Sequence, residues 1–247
     1  MNNNPIYLNW EFWTVIVAAT ALVLSQIPPI YQLVRRAKLT MEIYPRIAIG
    51  HRVGYPTVQL GIVISNAGGR EVRVKKITIE ILRDGTPVAI LPTQLYSPES
   101  EPTKLLLFTG FKIKPSEDRM HNYQFSVDLT RNQERELGDK ALALTNDIAI
   151  KQANTVNKDA LIEADSANVQ PLLEMLSKNF IWNEGEYGMN IKVASSDPKV
   201  FVEKAYHFWL YESDSRQLRN FGEKYKYGEG IYYGLEKQWL WTRIAEA

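Results

Sequence analysis

The chain has 247 residues, enough for one large domain or two small ones and ample to bury a core. Lys and Arg total 29 against 28 Asp and Glu, a net charge of +1 that gives no support to a nucleic-acid-binding surface, and 11% aromatic with 23% charged residues excludes a disordered chain. Cysteine is absent, which excludes disulfides, thiolate metal sites and cysteine nucleophiles.

The first element is the least average part of the chain. Residues 12–34 carry no charged side chain, and apolar density is highest from Phe12 to Leu24. At ~1.5 Å per residue the stretch reaches about 34 Å, against a hydrocarbon core of ~30 Å, which predicts a transmembrane helix. Trp10 and Trp13 stand at one end and Tyr31 at the other, the positions of interfacial aromatics. Pro28 and Pro29 are expected to kink the helix or end it near Ile27. Residues 1–11 contain no Lys or Arg and no small-x-small site follows the run, so an anchor is favoured over a cleaved signal peptide. Arg35, Arg36 and Lys38 come next and set the topology by the positive-inside rule. The expectation is a single-pass inner-membrane protein, N-terminus outside and the rest cytoplasmic.

One face of that helix differs from the others. Glu11, Thr14, Ala18, Ala21 and Ser25 follow one another at spacings of 3, 4, 3 and 4, and Pro28 and Gln32 continue the register. Small and hydroxyl residues let helices approach closely and hydrogen-bond across the gap. The seam predicts self-association or docking on a partner helix, with Glu11 needing a partner or water. The competing reading is chance, since Ala and Thr are common in any apolar helix.

Strand signals follow the basic cluster. Met41–Tyr44 and Arg46–Ile49 are separated by Pro45, as in an edge strand. Val58–Ser65 reads as a buried strand and Asn66-Ala67-Gly68-Gly69 as a turn. Glu71–Leu82 alternates, with a slip at Lys75-Lys76 that marks a bulge. Asp84-Gly85 is a hairpin dipeptide, and Pro87–Leu91 returns. A loop over 92–103 precedes strands at Lys104–Ile113 and Asn122–Leu129, with a turn at Lys114–Asp118 between them.

Three short runs carry a resemblance. Leu60-Gly61-Ile62-Val63-Ile64-Ser65-Asn66-Ala67-Gly68 resembles the strand and Asn-x-Gly turn of bacterial immunoglobulin-like domains. Ile113-Lys114-Pro115-Ser116-Glu117 is similar to their Pro-x-Glu turn, and Gly185–Val193 to their Gly-x-Tyr strand. The resemblance covers roughly residues 40–130 and 185–212 and implies an immunoglobulin-like β-sandwich. It carries no function by itself.

Arg131–Phe180 departs from that pattern. Leu137, Ala141, Leu144 and Ile148 repeat on one helical face, and Pro171 opens a second helix bearing Leu172, Leu176 and Phe180. The fold class expected is therefore mainly β with α: a transmembrane helix, then a sandwich carrying a helical insertion at about 131–180. The division is 1–38 for tail, helix and basic flank, 39–220 for the sandwich, and 221–247 for an aromatic tail. The insertion either holds a partner or lies as a lid over one sheet. Strands return at Gly188–Val193 and Val200–Tyr211. Glu223–Gly230 reads as a hairpin, and Leu235–Ala245 as a short amphipathic helix offering Trp239 and Trp241 to the domain, a bilayer interface or a partner.

Chemistry is sparse. The chain has no Gly-x-Ser-x-Gly elbow, phosphate loop or His-Glu-x-x-His motif. His51, His121 and His207 lie apart with no ligand spacing, and His207, in an apolar run, reads as a core histidine. No catalytic residue, metal or cofactor is assigned. The leading expectation is a non-catalytic interaction module holding a cytoplasmic protein at the inner membrane. One alternative is an oligomeric membrane effector assembled through the seam, similar in layout to bacterial antiviral effectors. The other is a periplasmic adhesion domain in the reverse orientation. Partners are the lipid bilayer and a protein or a second copy, reached through the seam and the insertion; no nucleic acid is expected.

Overall fold

The structure, a computed structural model, describes residues 10–101, 103–155, 161–231 and 239–247, with only the backbone for 26–34. Helix α1 runs Trp10–Val34, continuous through Pro28-Pro29. The expected kink side chains, Tyr31 and the seam's extension at Pro28 and Gln32 fall outside the described side chains. No helix among the described residues is long and apolar enough to cross a membrane. The part of α1 whose side chains are described, Trp10–Ser25, covers about 24 Å at ~1.5 Å per residue, less than the ~30 Å of a hydrocarbon core. This corrects the transmembrane anchor, the single-pass orientation read from Arg35, Arg36 and Lys38, and the inner-membrane location.

Among the described residues twelve strands follow, all antiparallel: β1 (Leu39–Ile43), β2 (Arg46–Arg52), β3 (Tyr55–Asn66), β4 (Val72–Arg83), β5 (Thr86–Pro98), β6 (Leu106–Leu107), β7 (Phe111–Ile113), β8 (Asp118–Ser126), β9 (Gly185–Ser195), β10 (Phe201–Leu210), β11 (Leu240–Arg243) and β12 (Ala245–Glu246). Between β8 and β9 stand α2 (Arg131–Asn154) and α3 (Ser166–Asn179); after β10 come α4 (Glu212–Asn220) and a 3-10 segment (Phe221–Tyr227). The immunoglobulin-like pair of separate sheets is not formed. A mixed α and β fold is seen instead, with one sheet in the order β11-β2-β3-β8-β5-β4-β9-β10-β12, wrapped into a nearly closed barrel.

Strand β5 is the reason the sheet does not split in two. Its first half pairs with β4 through Pro92, and its second half pairs with β8 from Thr93. The register slips between Thr93 and Leu95, and the Thr93 hydroxyl donates to the Ile77 carbonyl at 3.1 Å. A bulge bends a strand and raises its twist, which turns the sheet's corner here. The strand expected to end at Leu91, before a loop rich in Pro, Ser and Glu, runs on through Pro92 to Pro98. Both are accommodated in the strand.

The far edges are joined by the C-terminus. Leu240–Arg243 pairs with Arg46–Ile49 on β2, and Ala245-Glu246 pairs with Tyr206-His207 on β10. Ile244, between them, is buried, and its N–H bonds the Pro45 carbonyl at 3.1 Å. The helix expected over 235–245 is thus strand from Leu240, and residues 232–238 lie outside the description. Leu240–Arg243 alternate in exposure, the period-2 pattern of a strand and not the 3.6 of a helix.

Inside the barrel, Val58, Leu60, Ile62 and Ile64 of β3 face Ile77, Ile79 and Ile81 of β4 and Met189, Ile191 and Val193 of β9 in one core. Alternation at period 2 put these residues on one face. Helix α2 begins with a reciprocal capping box between Thr130 and Gln133 and buries Leu137, Leu144 and Ile148. Helix α3 buries Val169, Leu172, Met175 and Leu176, with Pro171 inside it rather than opening it. Glu223–Gly230 forms no hairpin: Phe221–Tyr227 is a 3-10 turn ended by Gly228 in the left-handed region.

Candidate functional site

The side chains expected to act as a helix-association seam all lie on α1. Every residue from Trp10 to Ser25 is exposed, including Trp10 (72%), Val15 (67%), Val17 (66%) and Leu22 (66%). Thr14 donates to the Glu11 carbonyl at 2.7 Å and Ser25 to the Leu22 carbonyl at 2.7 Å. Hydroxyls bonded to the preceding turn have less need of a bond across an interface. The seam of Glu11, Thr14, Ala18, Ala21 and Ser25 is therefore mainly a shallow notch between bulkier flanks, shaped by Ala18 and Ala21.

The basic segment after α1 is held to the barrel by its backbone. Ala67 N–H donates to the Lys38 carbonyl at 2.8 Å and Gly69 N–H to that of Arg36 at 3.3 Å. A β-carbon on Gly68 would lie 2.3 Å from the Arg36 oxygen and 2.4 Å from the Lys38 nitrogen. Asn66 organises this turn: its amide donates to the carbonyls of Arg70 and Ile113, and its side-chain oxygen accepts from Gly68 N–H. The Asn-x-Gly turn is thus the socket for residues 36–38. The Arg35, Arg36 and Lys38 side chains stay exposed, and Arg36 borders a 430 Å³ cleft with Arg70 and Lys199.

The two tryptophans separate. Trp239 is half-buried, whereas Trp241 is 61% exposed on β11. Trp241 flanks a slot of about 320 Å³ with Tyr44, Pro45, Arg46, Gln59, Gly61 and Asn122. Tyr44 lies over Gly61, where a β-carbon would meet its ring at 2.3 Å. Sequence reading missed Tyr44 and Gly61, because the bend at Pro45 that brings Tyr44 onto β3 appears only once β1 and β2 pair along the same strand.

The histidines remain apart. His51 is buried against Phe180 and Phe221, and burial lowers its pKa. His121 sits in an aromatic group with Tyr96, Phe111 and Tyr123. Its Nδ1 and the Tyr123 hydroxyl are buried without partners among the described residues, and burial, then the nearby Arg119 charge, lowers its pKa. His207 is exposed, not a core residue: it lies on the outward side of β10, between buried Tyr206 and Phe208. Among the described residues no cluster of three His, Asp or Glu side chains is placed to hold a metal. No known protein family matches the chain, and no characterised protein matches it in sequence.

Proposed function

We propose that this protein is a non-catalytic assembly module whose helix α1 associates with α1 of further copies, while the barrel presents the docking face for a protein partner. The observation that carries this reading is the exposure of all sixteen residues from Trp10 to Ser25. Monomeric proteins rarely leave contiguous apolar patches beyond a few hundred Å² uncovered. A second copy suits the face because Ala18 and Ala21 leave room for close approach on a 3-4 spacing, the repeat that lets two helices keep one seam in contact, and that approach covers the flanking, exposed Val15 and Leu22. Exposed Leu142 and Ile150 on α2 and the slot beside Trp241 support docking of another protein on the barrel.

The test is crosslinking of the full chain in cells, followed by sizing. Wild type is expected to give discrete oligomers. Ala18→Leu with Ala21→Leu should abolish them by filling the notch, whereas Val17→Leu, off the seam, should not. Oligomers unchanged in the double variant would overturn the reading.

A further inference from the structure

A second cleft, of about 540 Å³, opens where the end of β4 meets α4, and arginines line it from both sides. Arg83 is the last residue of β4; Arg216 and Arg219 stand three apart on α4 and share a face. Asn183, Glu184, Glu212 and the buried Ser215 complete the wall.

Two of these guanidinium groups are held in place. Arg219 lies over the Phe180 ring, 4.4 Å from its centre, and donates to the Asn183 side-chain oxygen. Arg83 donates through an Nη to the Glu184 carbonyl at 3.0 Å. Its Nε–H is buried with no acceptor among the described residues, the Asp84 carboxylate being 3.8 Å away. A buried unsatisfied donor costs free energy and calls for an explanation. Each guanidinium offers five N–H donors in a planar fork, and a fork suits a phosphoryl or carboxylate group bidentately.

The carboxylates do not close the site. Glu212 pairs with Arg216, but both are about two-thirds exposed, and such a pair is worth little against a competing anion. Glu184 and Asp84 are exposed. The remaining donors are chiefly those of Arg83 and Arg219, fixed by protein contacts before any ligand arrives. Preorganised donors cost less to order on binding.

We propose that this cleft binds the phosphoryl group of a small organic phosphate. The cleft is large for a bare ion, since a single water occupies about 30 Å³ of liquid, so a group beyond the phosphate fits beside Ser215.

The experiment titrates the full chain with inorganic phosphate and with phenyl phosphate, following the phosphorus resonance and the melting temperature at fixed ionic strength. Saturable binding of both is expected. Tighter binding of phenyl phosphate would place the organic group in the cleft; equal binding would limit the site to the phosphoryl group. Arg83→Gln with Arg219→Gln should weaken binding at least tenfold. Because Arg83 and Arg219 also hold neighbouring segments, Arg216→Gln and Glu212→Gln are read alongside. The exposed Arg216→Gln should weaken binding without unfolding the chain, and Glu212→Gln should strengthen it by freeing Arg216. No saturable binding by wild type, or equal affinity in Arg216→Gln and Glu212→Gln, would overturn the proposal.

Discussion

His51 donates its Nε2–H to the Leu218 carbonyl at 2.8 Å, joining β2 to α4 across 167 residues of sequence. The tautomer follows from the other nitrogen. Nδ1 lies 3.2 Å from the Gly54 N–H, which can only donate, so Nδ1 accepts and Nε2 carries the proton. The ring is a neutral strut between the β2–β3 turn and the helices beneath it. Trp182 braces the same place, its indole N–H bonding the Gly50 carbonyl at 2.7 Å.

That geometry sets a pH dependence. Burial lowers the His51 pKa below its ordinary 6.5, so the unfolded chain takes up a proton before the folded one does. Stability is therefore fully present above about pH 6.5 and declines as pH falls below it toward the folded value. His121, lowered mainly by its own burial, adds a decline of the same sign. Urea midpoints measured from pH 8 to pH 5 should fall, and the fall should be shallower in His51→Gln. The variant should also cost about 2 kcal/mol at pH 8, because the Leu218 carbonyl and Gly54 N–H lose their partners. Equal pH slopes in the two proteins would show that His51 does not titrate on unfolding.

Gly68 offers a second test. Its missing β-carbon leaves the space that the backbone of 36–38 occupies, and backbone cannot swing aside as a side chain can. Gly68→Ala should cost about 1–3 kcal/mol, the usual range for overpacking. It should also free the segment between α1 and β1, so trypsin should cut at Arg35, Arg36 or Lys38 faster than in wild type at a concentration that leaves the barrel intact. An unchanged cutting rate would mean that the segment is held elsewhere.

Local chemistry made much of this legible and long-range closure little of it. Asp84-Gly85 turned β4 into β5 as expected, both residues at positive φ, and the slip at Lys75-Lys76 is a register shift against β9. Leu137, Leu144 and Ile148 sit on the buried face that their spacing indicated. What alternation cannot report is which strand lies beside which. A sandwich and a barrel ask for the same inward residues at period 2, and the difference here rests on a bulge at Thr93 and on eight C-terminal residues. The candidate sites follow the same rule. The α1 seam is continuous in sequence and was visible; the slot pairs Tyr44 with Trp241, and the arginine cleft pairs Arg83 with Arg216, so neither has a local signature.

The floor of the slot gives a double-mutant prediction. A β-carbon on Gly61 would meet the Tyr44 ring at 2.3 Å, but Tyr44 is 46% exposed and its ring can rotate outward. Gly61→Ala should therefore cost only about 1 kcal/mol, less than an equal clash with backbone. Tyr44→Ala removes the clash, so adding Gly61→Ala to it should cost almost nothing. Contacting residues commonly couple by 0.5–3 kcal/mol, and a coupling of about 1 kcal/mol is expected in denaturant melts of the four proteins. Additive costs would place the Tyr44 ring away from Gly61 in solution.

The C-terminal strand gives the sharpest test of the barrel itself. Leu240–Arg243 covers the outer edge of β2, Ala245-Glu246 covers that of β10, and the Ala247 N–H bonds the Ala205 carbonyl at 3.0 Å. Lys204 adds an ion pair to Glu246 at 2.9 Å. The largest buried contribution is Ile244, and burying such a side chain contributes about 1.5–3 kcal/mol. Ending the chain at Trp239 should therefore lower stability by about 2 kcal/mol or more and leave two exposed edges. Exposed edges recruit strands from other molecules, so the shortened chain should also aggregate. Hydrogen exchange localises the effect: amides of residues 46–49 and 205–207 should lose protection while those of β4 and β9, in the middle of the sheet, keep theirs. Ile244→Ala should reproduce part of the stability loss without the aggregation, because the backbone pairing remains. If β2 and β10 exchange at wild-type rates in the shortened chain, the two edges close on each other without the C-terminal strand.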